Sequence, residues 1–332
     1  MKKLFLLIAF ATFSTVMWAQ NEVMGATLQT GNEVKTYTGV NALVNAYNEA
    51  TETGSIITLT AGTFNSPNYI KKSVKIYGFG WEVNEDNNIL TPTIINSYLS
   101  FQTDNDETSL QDVLIEGVRI NGDVNVKQIT NLTISRCSFN TFNINGNNAQ
   151  SILLRQCYIA SFNAPNSNIT LMGLDVENCY IKGRIYMSYL TPESQIVFNH
   201  CIIRSDCDYG HSAALYTNNI FGSGYRTDVA TDATLKNNIL VISRPSSSIQ
   251  EGNWYNVPVG AIFSDATDMN YTATRTFTLA DPATYVGTDG TEVGINGGNY
   301  PWNKIPTTPI VKSLQLEVEG SNLNVTYEAE VR

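Results

Sequence analysis

The sequence predicts an all-β solenoid, a single-stranded parallel β-helix with an N-terminal capping helix, a C-terminal cap and a terminal β-hairpin. Three observations predict it. First, one short pattern recurs seven times between Asp112 and Val241, centred on Val118, Cys137, Cys157, Cys179, Cys201, Asn219 and Asn238 at spacings of 19, 20, 22, 22, 18 and 19 residues. Such spacing fits the coils of a solenoid and is too irregular for a helical repeat, so insertions must sit in loops. Second, apolar residues alternate by two on either side of each centre, as strand side chains do. Two after it come Ile120, Phe139, Ile159, Ile181, Ile203, Phe221 and Leu240; three before it come Ile115, Ile134, Leu154, Val176, Phe198, Tyr216 and Leu235. Third, the phase slips once, just before the centre. Gly117, Gln156, Asn178, Asn218 and Asn237 stand there, and Gly and Asn tolerate the left-handed conformation of a sharp bend.

A third strand completes a triangular coil, with Val124 and Val126, Phe142 and Ile144, and Ile185 and Met187 facing inward. The stretch from Gly54 to Phe64, followed by Ser73 to Gly80, resembles the first rungs of the right-handed parallel β-helix of the pectin lyase-like superfamily, over roughly residues 36 to 265. The resemblance implies a right-handed coil and a secreted bacterial protein. It leaves the chemistry open, because solenoids of this kind carry many functions.

In chain order, Met1 to Ala19 carries Lys2 and Lys3, then the apolar run Leu4 to Phe10, and reads as a secretory signal peptide (1–19). The mature chain is then expected to be soluble, and secreted, periplasmic or at the cell surface of a bacterium with Gram-negative-type export. Removing Lys2 and Lys3 from the 20 basic residues leaves 18 against 30 acidic ones. That balance disfavours nucleic acid and anionic membrane surfaces as partners. Val40, Leu43, Val44 and Tyr47 fall at helical spacing, predicting a helix that covers the first coil of the 36–265 solenoid. Between Phe79 and Val118 the spacing doubles, which predicts one coil with a long loop at Glu82 to Thr91 before the strand Thr93 to Phe101. Trp81 beside that loop is expected to pack into the ladder.

Cys137, Cys157, Cys179 and Cys201 form one column, so stacked, reduced, buried thiols are expected; a ladder points its side chains in parallel, whereas a metal needs convergent ligands. At Asn219 and Asn238 the column turns polar, predicting a short buried amide ladder.

The densest ionisable cluster is Arg204, Asp206, Asp208 and His211, with Tyr225, Arg226 and Asp228 one coil later. Paired carboxylates and a His are the residue types of a glycoside hydrolase or polysaccharide lyase. The motifs of polygalacturonases and pectate lyases are absent, and a solvated loop is the preferred account. One after each centre, Tyr158, Tyr180, Ile202, Ile220 and Ile239 form an apolar outer stripe that needs a cover. Either the segment from Arg244 to Thr308 folds back over it, or a partner or glycan does. Tyr158, Tyr180 and Trp302 are the candidate binding residues. Val259 to Phe263 is the one candidate for a further coil in that segment. Within the cap (266–308) the dipeptides Asp289-Gly290 and Asn296-Gly297 mark tight turns, and no cofactor is expected, although Asp281, Asp289 and Glu292 have the chemistry to surround Ca²⁺. The tail (309–332) alternates through Leu314, Leu316 and Val318, turns at Gly320 to Asn322, and alternates again through Leu323, Val325 and Tyr327, a hairpin.

These features predict an extracytoplasmic scaffold or binding module for polysaccharide, leaning away from catalysis and without membrane insertion. A polysaccharide lyase or glycoside hydrolase, and a structural partner of a surface protein assembly, are the alternatives.

Overall fold

A computed structural model of the chain describes residues 24–84, 89, 91–104, 109–166, 168–187, 189–205, 214–222, 233–244, 249–307, 310–319 and 322–330. The predicted signal peptide lies outside them.

The described strands form one 23-stranded sheet wound into coils, plus a separate two-stranded hairpin. The apolar column three before each centre becomes a continuous parallel register, Ile115↔Ile134↔Leu154↔Val176↔Phe198↔Tyr216↔Leu235. It extends back through Ile76 and Ile57 and forward to Gln250. On the next face Phe139, Ile159, Ile181, Ile203, Phe221 and Leu240 stack in the same way. All but Gln250 are buried, and the interior is one continuous apolar cluster from Ala26 to Leu240. Its aromatic rings stack along the axis, Phe198 lying 5.1 Å from Tyr216.

Each bend turns on a left-handed residue: Gly117, Arg136, Gln156, Asn178, His200, Asn218, Asn237 and Gly252 have φ between 48° and 72°. Gly and Asn adopt this conformation at little cost; for Arg136 and His200 it costs about 1–2 kcal/mol each, and other contacts must offset that. Gly252 marks a coil that the apolar columns do not reveal, in which Ile249–Glu251 pairs beside Thr234–Lys236 and Trp254 bridges Ile239. The candidate coil from Val259 to Phe263 forms instead a 3₁₀ turn at Val259–Ala261 and an antiparallel bridge from Phe263 to Leu279.

The thiols of Cys137, Cys157, Cys179 and Cys201 are free and buried; burial pushes those of Cys137 and Cys179 well up. The amide ladder is present and one rung longer than predicted. Asn219 Nδ2 donates to Asn238 Oδ1 at 3.1 Å, and Asn238 Nδ2 to Asn253 Oδ1 at 2.9 Å. The same amides donate to the carbonyls of Phe198, Tyr216 and Leu235.

The N-terminal cap has two parts. The helix Ala42–Glu49 buries Ala42, Leu43, Ala46 and Tyr47; of the predicted stripe, Val40 precedes the helix and is exposed, because the buried face is the one that meets the first coil. An antiparallel hairpin, Gly25–Thr30 with Glu33–Thr38, adds to the first coil through Leu28↔Ile57 and closes its free edge. At the other end of the chain Ile310–Glu319 pairs with Asn322–Glu330, placing Leu314 opposite Tyr327 and Leu316 opposite Val325.

Candidate functional site

The described site residues fall in four places: the cap over the outer stripe, the strap along the bends, a cleft at Arg204 and a cavity at Trp302. In the first, the C-terminal segment covers the outer stripe. Tyr180, Ile202, Ile220 and Ile239 are buried against Ile262, Phe263, Met269, Phe277, Leu279, Val293 and Ile295. Tyr158 stacks on Tyr180 at 5.4 Å, and both rings meet Tyr271 from the cap. Tyr180 donates its hydroxyl to the Met269 carbonyl, and burial pushes its phenol up to about 12. These two tyrosines therefore spend their faces on the protein's own cap. Trp81 is buried as expected but in a different place: it packs on Tyr158 and Tyr271 outside the solenoid interior, because the bend beside it directs the chain outward toward the cap. Glu82 follows it into the same contact, accepting from Lys304 Nζ at 2.6 Å and from the Tyr271 hydroxyl.

The segment from Val286 to Thr307 runs along the bends as a strap, in the direction opposite to coil progression. Asn237 donates to the Val286 carbonyl, and Asn218 accepts from the Thr288 N–H. His200, fully buried, meets Asp289 Oδ2 at 2.9 Å and the Gly294 carbonyl at 3.1 Å. Asn178 donates to the carbonyls of Ile295 and Gly297, each at 2.8 Å, and Gln156 to that of Pro301. At the far end the buried Glu116 accepts from Arg136 at 2.7 Å and from the Thr307 N–H at 2.8 Å. The strap passes so close to the bends that Gly298, at φ 72°, would bring a Cβ within 2.9 Å of the His200 ring.

Of the Ca²⁺ candidates, Asp289 is occupied by His200 and by the N–H and hydroxyl of Thr291. Partial burial pushes its carboxyl up, yet Thr291 and His200 together hold it below its ordinary value. Asp281 accepts from the Thr284 N–H, and burial raises the Glu292 carboxyl. Among the described residues no group of three His, Cys, Asp or Glu side chains is placed to hold a metal ion. Arg204 is described, lining a small cleft with Ser205, Asp268 and Asn270; Asp206, Asp208, His211, Tyr225, Arg226 and Asp228 lie outside the described residues.

The third-strand face is half-exposed. Its outward register runs Tyr69, Ser100, Asn125, Asn143, Asn163, Tyr186, five coil steps or about 24 Å at ~4.8 Å per step. Asn163 donates to Asn143 Oδ1 at 3.2 Å and Asn143 to Asn125 Oδ1 at 2.9 Å, a second amide ladder, here half-exposed. Beside it Ser161 donates to the Thr141 hydroxyl, and Asp123 accepts from the Thr141 N–H. Tyrosine pairs stand at both ends, Tyr69 with Tyr98 and Tyr186 with Tyr189, each edge-to-face. A groove of about 620 Å³ at the second pair is lined by Thr141, Ser161, Asn163, Arg184, Tyr186 and Tyr189. Sequence reasoning followed the apolar columns and missed this polar one.

Trp302, the third binding candidate, lines a separate cavity in the cap. No protein-family model and no curated protein matches the chain. No described helix is long and apolar enough to cross a membrane.

Proposed function

We propose that the protein is an exported member of the pectin lyase-like superfamily that serves as a scaffold holding a polysaccharide chain along the column from Tyr69 to Tyr186. The observation that carries this reading is the half-exposed amide ladder Asn125, Asn143, Asn163 with tyrosine pairs at both ends. Each amide offers both a donor and an acceptor, as sugar hydroxyls require. Asn143 also donates to Asp123 and Asn125 also accepts from Asn145, which leaves a lone pair on Asn143 and the N–H groups of Asn125 for a ligand. Tyrosine adds an apolar ring for the C–H face of a sugar and a hydroxyl at its rim. The coil repeat presents these groups at one spacing along the axis, which suits an extended repeating ligand. The signal-like N-terminus supports export.

Screening the purified protein against a panel of neutral and uronate-rich polysaccharides, for binding and for product release, tests it. Saturable binding without product, weakened by Tyr189→Ala, is the expected outcome. Product release abolished by Asp208→Ala or His211→Ala would replace the reading with that of a lyase or hydrolase.

A further inference from the structure

A second site, independent of the ladder face, is built where Val83 and Asn84 meet the C-terminal cap. A cavity of about 740 Å³ lies there, walled by Val83 and Asn84 on one side and by Asn296, Trp302, Asn303 and Ile305 on the other. Its volume falls in the range of small-molecule sites, about 300–1,000 Å³. The wall combines the Trp302 indole and the aliphatic side chains of Val83 and Ile305 with the amides of Asn296 and Asn303; Asn296 donates both N–H groups to the carbonyls of Thr276 and Phe277 and keeps its oxygen, and Asn303 Oδ1 accepts from the Ile305 N–H and keeps its amino group. Val83 is 47% exposed, so the wall presents an apolar side chain to solvent on that side.

Two cations, Arg275 and Lys304, also border the cavity, and both are already neutralised. Lys304 Nζ sits 2.6 Å from Glu82 and 3.1 Å from the Tyr271 hydroxyl. Arg275 donates to Asp268 Oδ1 at 2.9 Å and to the Asn270 carbonyl, with its guanidinium 4.8 Å from the Phe263 ring and 4.5 Å from the Phe277 ring. An anionic ligand would have to displace these pairs. Among the described residues no carboxylate lines the cavity. Trp302 Nε1 is buried and, among the described residues, makes no hydrogen bond. A buried donor left without a partner is unfavourable, and an acceptor on a bound ligand can supply the bond with a small shift of the ring.

We propose that this cavity binds a neutral saccharide of one or two rings, with a sugar face against Trp302 and its hydroxyls on the Asn296 side-chain oxygen and the Asn303 amide. The apolar wall selects for a ring with a C–H face, the amides for hydroxyls or acetamido groups, and the closed ion pairs against uronates. The cap that covers the outer stripe thereby also holds a short glycan or a chain end, on a surface apart from the ladder.

Saturation-transfer NMR titration of the mature chain with cellobiose, chitobiose and digalacturonate decides the matter. Saturable binding of a neutral disaccharide is expected, at least ten-fold weaker in Trp302→Ala and lost in Val83→Arg, which blocks the mouth at an exposed position and leaves folding intact. Asn143→Ala, on the ladder face, leaves this binding unchanged. Absence of binding by both neutral disaccharides, tighter binding of digalacturonate, unaltered affinity in Val83→Arg, or an equal loss in Asn143→Ala would each overturn the assignment.

Discussion

Two amide ladders run along this solenoid, and they differ in what surrounds them. Inside, Asn219, Asn238 and Asn253 bond one another and also the backbone of the preceding coils, with Asn219 and Asn238 fully shielded from solvent. Outside, Asn125, Asn143 and Asn163 make the same side-chain bonds in the same parallel register but stand half in water, flanked by tyrosines. The coil repeat produces both, because any residue type kept at one register position is stacked on its copy in the next coil. Burial then sorts their roles. An inner amide has every bond committed to the fold, and its loss is a matter of stability; an outer amide keeps bonding capacity that only solvent or a ligand can use.

Removing one rung from each ladder separates these roles, and the largest effect belongs to the inner one. Asn238→Ala strands the Asn219 N–H, which bonds Asn238 Oδ1 at 2.8 Å, and the Tyr216 carbonyl. Each stranded group costs about 1–3 kcal/mol, visible as a lower midpoint in chemical denaturation. The strap comes next. Asn178→Ala removes two bonds to the strap, at about 0.5–1.5 kcal/mol each, and places Ala at φ 49°. Amide exchange should quicken from Val293 to Gly298 while the core registers keep their protection. A smaller, pH-dependent effect attaches to Asp289. Its carboxyl titrates lower in the folded chain than in the unfolded one, so the stabilisation it gives is present above the unfolded value near ~3.9 and is lost as pH falls through the folded value. The melting temperature should therefore drop on acidification below about pH 4, and less so in Asp289→Asn. Smallest for the fold is Asn143→Ala, a half-exposed position where the change in stability stays within about 0.5–1 kcal/mol.

How far each region was legible in the sequence follows the same division. The apolar columns gave the parallel register from Ile115 to Leu235 because burial allows one face only, and a one-residue slip would expose a whole column. Asn178, Asn218 and Asn237 announced their bends. Arg136 and His200 did not, since their left-handed backbone is held by side-chain partners, Glu116 for the first and the strap for the second, that no local pattern shows. The strap was readable as a needed cover for the stripe and no further, because it has no period and is gripped mostly through its backbone. The outer ladder escaped notice because loop lengths vary: Asn125 follows its centre by seven residues, Asn143 and Asn163 follow theirs by six, and Tyr186 by seven. The Trp302 cavity joins residues some 220 positions apart, as does the Lys304 to Glu82 pair beside it.

The direct test of the outer ladder as the ligand face is the affinity of Tyr186→Ala and Asn143→Ala for a polysaccharide that the native protein binds, measured alongside their melting temperatures. At least ten-fold weaker binding with the melting temperature held is the expected result. Native affinity in both variants, or a loss seen only when the melting temperature also falls, would contradict it.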